Sequence, residues 1–116
     1  MIINVLGTEY KIELRQLKDD DVLKEYDGYC DSPNRTIVIR RYTEEERKTD
    51  NMTDNLEGYN KKVLRHEIIH AFLYESGLSG NSMQYENAWA RNEEMVDWIA
   101  IQFHKMLRAF QDANCL

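Results

Sequence analysis

The sequence feature that most constrains the fold of this chain is an H-E-x-x-H pentapeptide, His66 to His70, inside an apolar run from Val63 to Leu73. On an α-helix, residues four apart lie on one face, about 6 Å apart along the axis, so the two imidazoles are spaced to bind one cation. Glu67 lies about 100° around the helix from His66, where it can reach a water at that cation. The pentapeptide predicts the metal-binding helix of a zinc hydrolase.

The context of the pentapeptide also favours a metal. The motif helix is predicted from about Asn60 to Ser76, with Gly77 as a left-handed stop. Its apolar residues point in nearly every direction, which is typical of a buried helix. An H-E-x-x-H string can occur by chance on an exposed helix, but unpaired polar side chains are costly among apolar neighbours.

Two helical histidines supply half of a tetrahedral zinc site, and a hydrolytic site needs a third protein ligand and one position for water. A second long helix is predicted from about Glu86 to Gln111. It carries an apolar stripe that we interpret as core and that consists of Val96, Ile99, Phe103, Met106, Leu107 and Phe110. Glu93 on this helix is the best placed third ligand, whereas Glu94 points toward water. Asp97, one turn after Glu93, is placed to accept the outer N–H of a ligating histidine. The other candidates for the third ligand are His104, Cys30 and Cys115.

The segments His66 to Phe72 and Asn92 to Ala100 together resemble the small zincins of the ImmA/IrrE-type metallo-endopeptidase family and, more broadly, minimal gluzincins. The resemblance implies a short antiparallel sheet before the motif helix. Family members often act on DNA-binding repressors of mobile elements, which implies a cytoplasmic regulatory protein as the substrate. The resemblance also implies the zinc ligands, which are His66, His70 and Glu93. It implies Glu67 as the general base and Asp97 as an outer carboxylate behind the ligands.

Four short runs rich in β-branched and aromatic residues precede the motif helix. Ile2 to Leu6 and Tyr10 to Leu14 form one predicted hairpin, and Gly28 to Cys30 and Thr36 to Ile39 form another. Residues 42–59 are polar and are interpreted as an exposed, mobile connection that contains one capped helical turn. The predicted fold is therefore α+β, with a short antiparallel sheet of two hairpins packed on the buried motif helix and on a second long C-terminal helix.

Composition excludes several classes of function. The 116 residues predict a single domain over 1–116. The net charge is -6 and no stripe of Lys and Arg is present, which argues against direct contact with nucleic acid. No signal peptide and no apolar window long enough for a membrane span are visible. Cys30 and Cys115 lie far apart in the chain and are interpreted as reduced thiols of a cytoplasmic protein.

The predicted activity is zinc-dependent hydrolysis of a peptide bond, in which zinc activates a water and polarises the carbonyl while Glu67 carries the proton. Tyr74 and Tyr85 are candidate stabilisers of the oxyanion, with His104 as a more distant one. The peptide is expected to add as a strand to the exposed edge of the sheet. Two alternatives stay open: a zinc-binding adaptor of the same fold without turnover, and a metal-free helical interaction domain.

Overall fold

The computed structural model describes residues 1–49, 52–81 and 88–116 and has the predicted α+β fold. The strands are β1 (Ile2–Val5), β2 (Thr8–Arg15), β3 (Gly28–Asp31) and β4 (Thr36–Arg40). The α-helices are α1 (Glu44–Arg47), α2 (Leu56–Glu75), α3 (Leu78–Asn81) and α4 (Glu93–Asp112). The motif helix α2 packs against β1, β3 and β4 and against α4. It is therefore the element that joins the sheet to the second long helix.

The four strands form one mixed sheet in the order β1-β2-β4-β3. Both predicted hairpins are present and antiparallel, but they join through a parallel pairing of β2 with β4 that runs from Lys11 opposite Thr36 to Arg15 opposite Arg40. The prediction of an antiparallel sheet is wrong at this one junction. The chain crosses from β2 to the far edge as β3 before it returns as β4, so β4 runs in the same direction as β2.

The core lies between the sheet and α2. Val5, Tyr10 and Ile37 are fully buried there, together with Ala71 of α2. At Gly28 the strand β3 comes so close to α2 that an added Cβ would lie 2.8 Å from Cγ1 of Val63. Only a residue without a side chain allows this approach. The edge strand β3 therefore runs directly beside the helix that carries the H-E-x-x-H motif.

Buried hydroxyl groups tie both ends of α2 to the sheet side of the molecule. Near the C-terminal end, Tyr10 donates a hydrogen bond from Oη to Glu75 at 2.8 Å. Near the N-terminal end, the carboxylate of Asp27 accepts hydrogen bonds from Tyr42 (2.7 Å) and from Tyr59. These bonds satisfy phenol groups that would be costly to bury alone. The bonds of Glu75 and Tyr59 hold the two ends of the helix against β2 and against Asp27, the residue before β3.

The boundaries of α2 differ slightly from the prediction. The helix begins at Leu56 instead of near Asn60, because the side chain of Asn55 accepts the N–H of Gly58 at 3.0 Å and caps the first turn. It ends at Glu75, one residue before the predicted end. The capped turn predicted in the preceding connection is confirmed as α1 with a capping box.

The start of α4 was predicted too early. The helix begins at Glu93, after a 3-10 turn at Trp89–Arg91, because Asn92 caps it by accepting the N–H of Met95 at 2.8 Å. The predicted start near Glu86 lies outside the described residues. The cap places Glu93 in the first turn, where a carboxylate meets the positive end of the helix dipole.

The apolar stripe of α4 is core only in its first half. Val96 and Ala100 are fully buried, whereas Phe103 and Phe110 are exposed. Met106 and Leu107 are half-buried, so the prediction that the whole stripe is core is wrong for Phe103 and Phe110. In the described part of the chain, no helix is both long and apolar enough to cross a membrane.

Candidate metal centre

Three predicted ligand side chains meet between α2 and α4. His66 and His70 lie one turn apart on α2, and Glu93 approaches them from the first turn of α4. Oε2 of Glu93 lies 2.9 Å from Nε2 of His66 and 3.2 Å from Nε2 of His70, and the two Nε2 atoms lie 3.0 Å apart. Two nitrogens and one carboxylate oxygen therefore form a compact triangle.

The triangle has the dimensions of one face of a tetrahedral metal site. Metal–ligand bonds of about 2.0–2.1 Å place neighbouring tetrahedral ligands about 3.3 Å apart, close to the three distances in this group. Burial lowers the pKa of His70, which favours the neutral ring that binds metals. The convergence of three lone pairs on one point is stabilised when a cation lies between them. His66, His70 and Glu93 form a group that could hold a metal ion.

Asp97 lies behind His66, as predicted. Its Oδ1 is 3.2 Å from Nδ1 of His66 and 2.9 Å from Nζ of Lys62. The hydrogen bond from Lys62 holds the pKa of Asp97 below its ordinary value, so the carboxylate is ionised and accepts hydrogen bonds. A proton on Nδ1 of His66 leaves Nε2 with its lone pair directed toward Glu93 and His70.

Glu67 is buried beside the triangle, with 8% of its surface exposed. Burial is the largest influence and raises the pKa of its carboxyl to about 7. The negative charge of Glu93 also raises this pKa, whereas His66 and a hydrogen bond from the backbone amide of Cys30 lower it. A carboxyl group whose pKa lies near neutrality can both accept and release a proton at physiological pH. This is the property required of a general base that later acts as an acid.

A cleft of about 470 Å³ opens onto the triangle and onto Glu67. One wall is β3, through Gly28 and Cys30, and the mouth carries the exposed side chains of Tyr26 and Tyr74. The imidazoles are 16% and 22% exposed, whereas the side chain of Glu93 is 70% exposed. The triangle is therefore buried on the helix side and open on the cleft side.

The cleft wall includes a free strand edge. In the antiparallel pair of β3 and β4, Arg40 donates its N–H to the carbonyl of Asp27 at 2.9 Å, and the register continues with Gly28 opposite Ile39. Because hydrogen-bonded pairs alternate, the backbone groups of Gly28 and Cys30 face away from β4. In the described residues β3 pairs with β4 alone. Sequence reasoning predicted an exposed sheet edge but missed that β3 supplies it beside α2, because this placement depends on contacts between distant parts of the chain, such as that of Gly28 with Val63.

The other predicted candidates do not join the triangle. Glu94 is exposed and lies beside Met95 and Trp98, away from the cleft. His104 is exposed further along α4, and Cys115 is exposed near the end of the chain. Cys30 lines the cleft as a free thiol, and burial raises the pKa of that thiol.

The two candidate oxyanion stabilisers have different outcomes. Tyr74 lines the same cleft as the triangle. Tyr85 lies outside the described residues.

A metal centre is supported by the geometry of His66, His70 and Glu93. The chain matches no protein-family model, no curated protein and no solved structure.

Proposed function

We propose that this protein is a zinc-dependent metallo-endopeptidase. The observation that carries the proposal is the convergence of His66, His70 and Glu93 on one point, beside the buried carboxyl of Glu67 and at the base of an open cleft. The sequence resemblance to the ImmA/IrrE-type metallo-endopeptidases supports the same reading.

The donor set fits zinc better than the common oxygen-seeking cations. Two imidazoles and one carboxylate are the ligands of a catalytic zinc site that keeps a fourth position open, whereas Mg²⁺ and Ca²⁺ prefer oxygen ligands only. A zinc ion bound here would supply a Lewis acid for the scissile carbonyl and would lower the pKa of a coordinated water. The open side of the triangle faces the cleft.

Glu67 carries the proton in the proposed reaction. Its carboxylate accepts a proton from the attacking water, and the resulting acid donates that proton to the leaving amine. In the metal-free protein, burial raises the pKa of this carboxyl to about 7, so the surroundings of Glu67 favour uptake of a proton. Tyr74 at the cleft mouth is the candidate that donates a hydrogen bond to the oxyanion.

The proposed substrate is a peptide segment in extended conformation. The backbone groups of Gly28 and the carbonyl of Cys30 face away from β4 along the cleft and can pair with a substrate strand, which gives affinity with little demand on sequence, whereas the N–H of Cys30 is hydrogen-bonded to Glu67. The resemblance makes a cytoplasmic regulatory protein, such as a DNA-binding repressor, the first substrate to test.

A Glu67→Gln variant tests this function. Glutamine has the same shape but cannot take up a proton, so cleavage of a denatured protein or peptide library should fall by about 10²–10⁴-fold. The variant should still contain one equivalent of zinc by mass spectrometry. Glu94→Gln is the matched control, since Glu94 is an exposed neighbour of Glu93 outside the cleft, and it should retain both zinc and cleavage. Full cleavage by the Glu67→Gln variant would contradict the proposal.

The second candidate function is a zinc-binding adaptor without turnover. The exposed Phe103 and Phe110 on α4 favour it, because apolar side chains of this size are often covered by a partner. Retained zinc together with no cleavage by the wild-type protein would favour the adaptor over the peptidase.

A further inference from the structure

Lys62 extends the row of metal-site residues on α2. Lys62, His66 and His70 are spaced four apart and so share one face of the helix, and Glu93 and Asp97 are spaced four apart on α4. The two rows interleave: Lys62 contacts Asp97 at 2.9 Å, His66 contacts Asp97 at 3.2 Å and Glu93 at 2.9 Å, and His70 contacts Glu93 at 3.2 Å. We call these five residues the ladder.

The first two contacts of the ladder share a single atom. Nζ of Lys62 and Nδ1 of His66 both approach Oδ1 of Asp97. The side chain of Asp97 is 38% exposed, so without a second partner the carboxylate is free to rotate into water. Lys62 thus restrains the same oxygen that orients the imidazole of His66.

We propose that Lys62 is a positioning residue for the metal centre. It holds Oδ1 of Asp97 against Nδ1 of His66 and so keeps Nε2 of His66 turned toward Glu93 and His70. The proposal rests on the metal centre of the proposed function but not on peptide hydrolysis.

The direction in which zinc affinity changes when Lys62 is replaced distinguishes a positioning role of Lys62 from a purely electrostatic one. An ammonium group beside a cation site repels the cation, so removing the charge of Lys62 should by itself strengthen metal binding. Positioning predicts the opposite, because a free Asp97 leaves His66 less ordered. For a partly exposed ion pair we expect Lys62→Met to weaken zinc binding by about two- to fivefold. Loss of the outer carboxylate in Asp97→Ala should cost more, about 10- to 100-fold.

Zinc titration of the full chain against a competing chelating dye tests the proposal. Lys62→Met should weaken binding when Asp97 is present and should not weaken it in the Asp97→Ala background, because Lys62 acts through Asp97. Lys62→Arg should restore most of the affinity. The matched control is Lys61→Met, which removes an equal charge from the adjacent residue, whose ion pair at 2.6 Å is with Glu57 instead. Unchanged or tighter binding in Lys62→Met, or an equal loss in both backgrounds, would overturn the proposal.

A second measurement reports on His66 itself. In the metal-free protein, ¹⁵N NMR of the imidazole should show a smaller fraction of Nδ1–H tautomer for His66 in Lys62→Met than in the wild type, with His70 less affected. An unchanged tautomer fraction would contradict the role given to Lys62. A wild-type protein that binds zinc but cleaves no peptide would contradict the peptidase function and leave this proposal intact. Equal zinc affinities of the wild type and Lys62→Met would contradict this proposal and leave the peptidase function intact. A wild-type protein that binds no zinc would contradict both.

Discussion

Replacing Gly28 with alanine should loosen the contact that places β3 beside the motif helix. The added Cβ would lie 2.8 Å from Cγ1 of Val63 and 3.0 Å from the carbonyl oxygen of Val38. Overpacking of this kind costs about 1–3 kcal/mol, and the smaller entropy of the unfolded chain returns about 0.4–1 kcal/mol. The expected net loss is about 1–2 kcal/mol in the free energy of unfolding, or about 3–8 °C in Tm for a chain of this size.

Thermal and denaturant unfolding of the Gly28→Ala variant measures this loss. In a double-mutant cycle, Gly28→Ala should cost less in a Val63→Ala background than in the wild type, because Val63→Ala removes the methyl group nearest to the new Cβ. Gly80→Ala is the control, since no atom of the described residues lies within 4 Å of a Cβ at Gly80 and its backbone is not left-handed. Cleavage should fall along with stability as β3 and the amide of Cys30 move away from Glu67. A Gly28→Ala variant as stable as Gly80→Ala would refute the reasoning.

Three further predictions concern the cap of α4, acid stability and the metal. Asn92→Ala should cost about 1 kcal/mol of stability and should weaken zinc binding, because Glu93 occupies the first turn that Asn92 caps; calorimetry measures both. The hydrogen bond from Tyr29 and the ion pair with Arg15 hold the pKa of Asp20 below its ordinary 3.8. The stabilising effect of Asp20 is therefore complete above about pH 5 and is lost as the pH falls through the lowered value. Asp20→Asn should therefore be less stable than the wild type at pH 7, with a gap that narrows below about pH 5 in pH-dependent unfolding. Chelation of the metal should lower Tm by an amount that grows with the logarithm of the zinc affinity, and added zinc should restore Tm.

The part of the site on α2 could be predicted because it is local. The spacing of His66, Glu67 and His70 determines their relative directions once a helix forms. Glu93 and Asp97 could be predicted by spacing on a second helix and by resemblance, and the structure brings both to the histidines. The contact of Lys62 with Asp97 was not predicted, although the spacing of four residues between Lys62 and His66 indicates that both lie on one face of α2.

The remaining differences come from contacts between distant parts of the chain. The parallel pairing of β2 with β4 depends on which strand the chain inserts next to β2, and no local pattern encodes that choice. The cleft wall depends on the meeting of Gly28 with Val63, which are 35 positions apart in the sequence. The start of α4 is different, because Asn92 before Glu93 and Glu94 is a capping signal that sequence reasoning could have used.

The measurement that tests the central claim most directly is anomalous diffraction at the zinc edge from crystals of the purified protein. We predict one zinc ion per chain, bound by Nε2 of His66, Nε2 of His70 and a carboxylate oxygen of Glu93, with the fourth position open to the cleft. A coordination sphere that contains Glu94 or Cys30 in place of Glu93, or the absence of a zinc peak after incubation with zinc, would contradict the account.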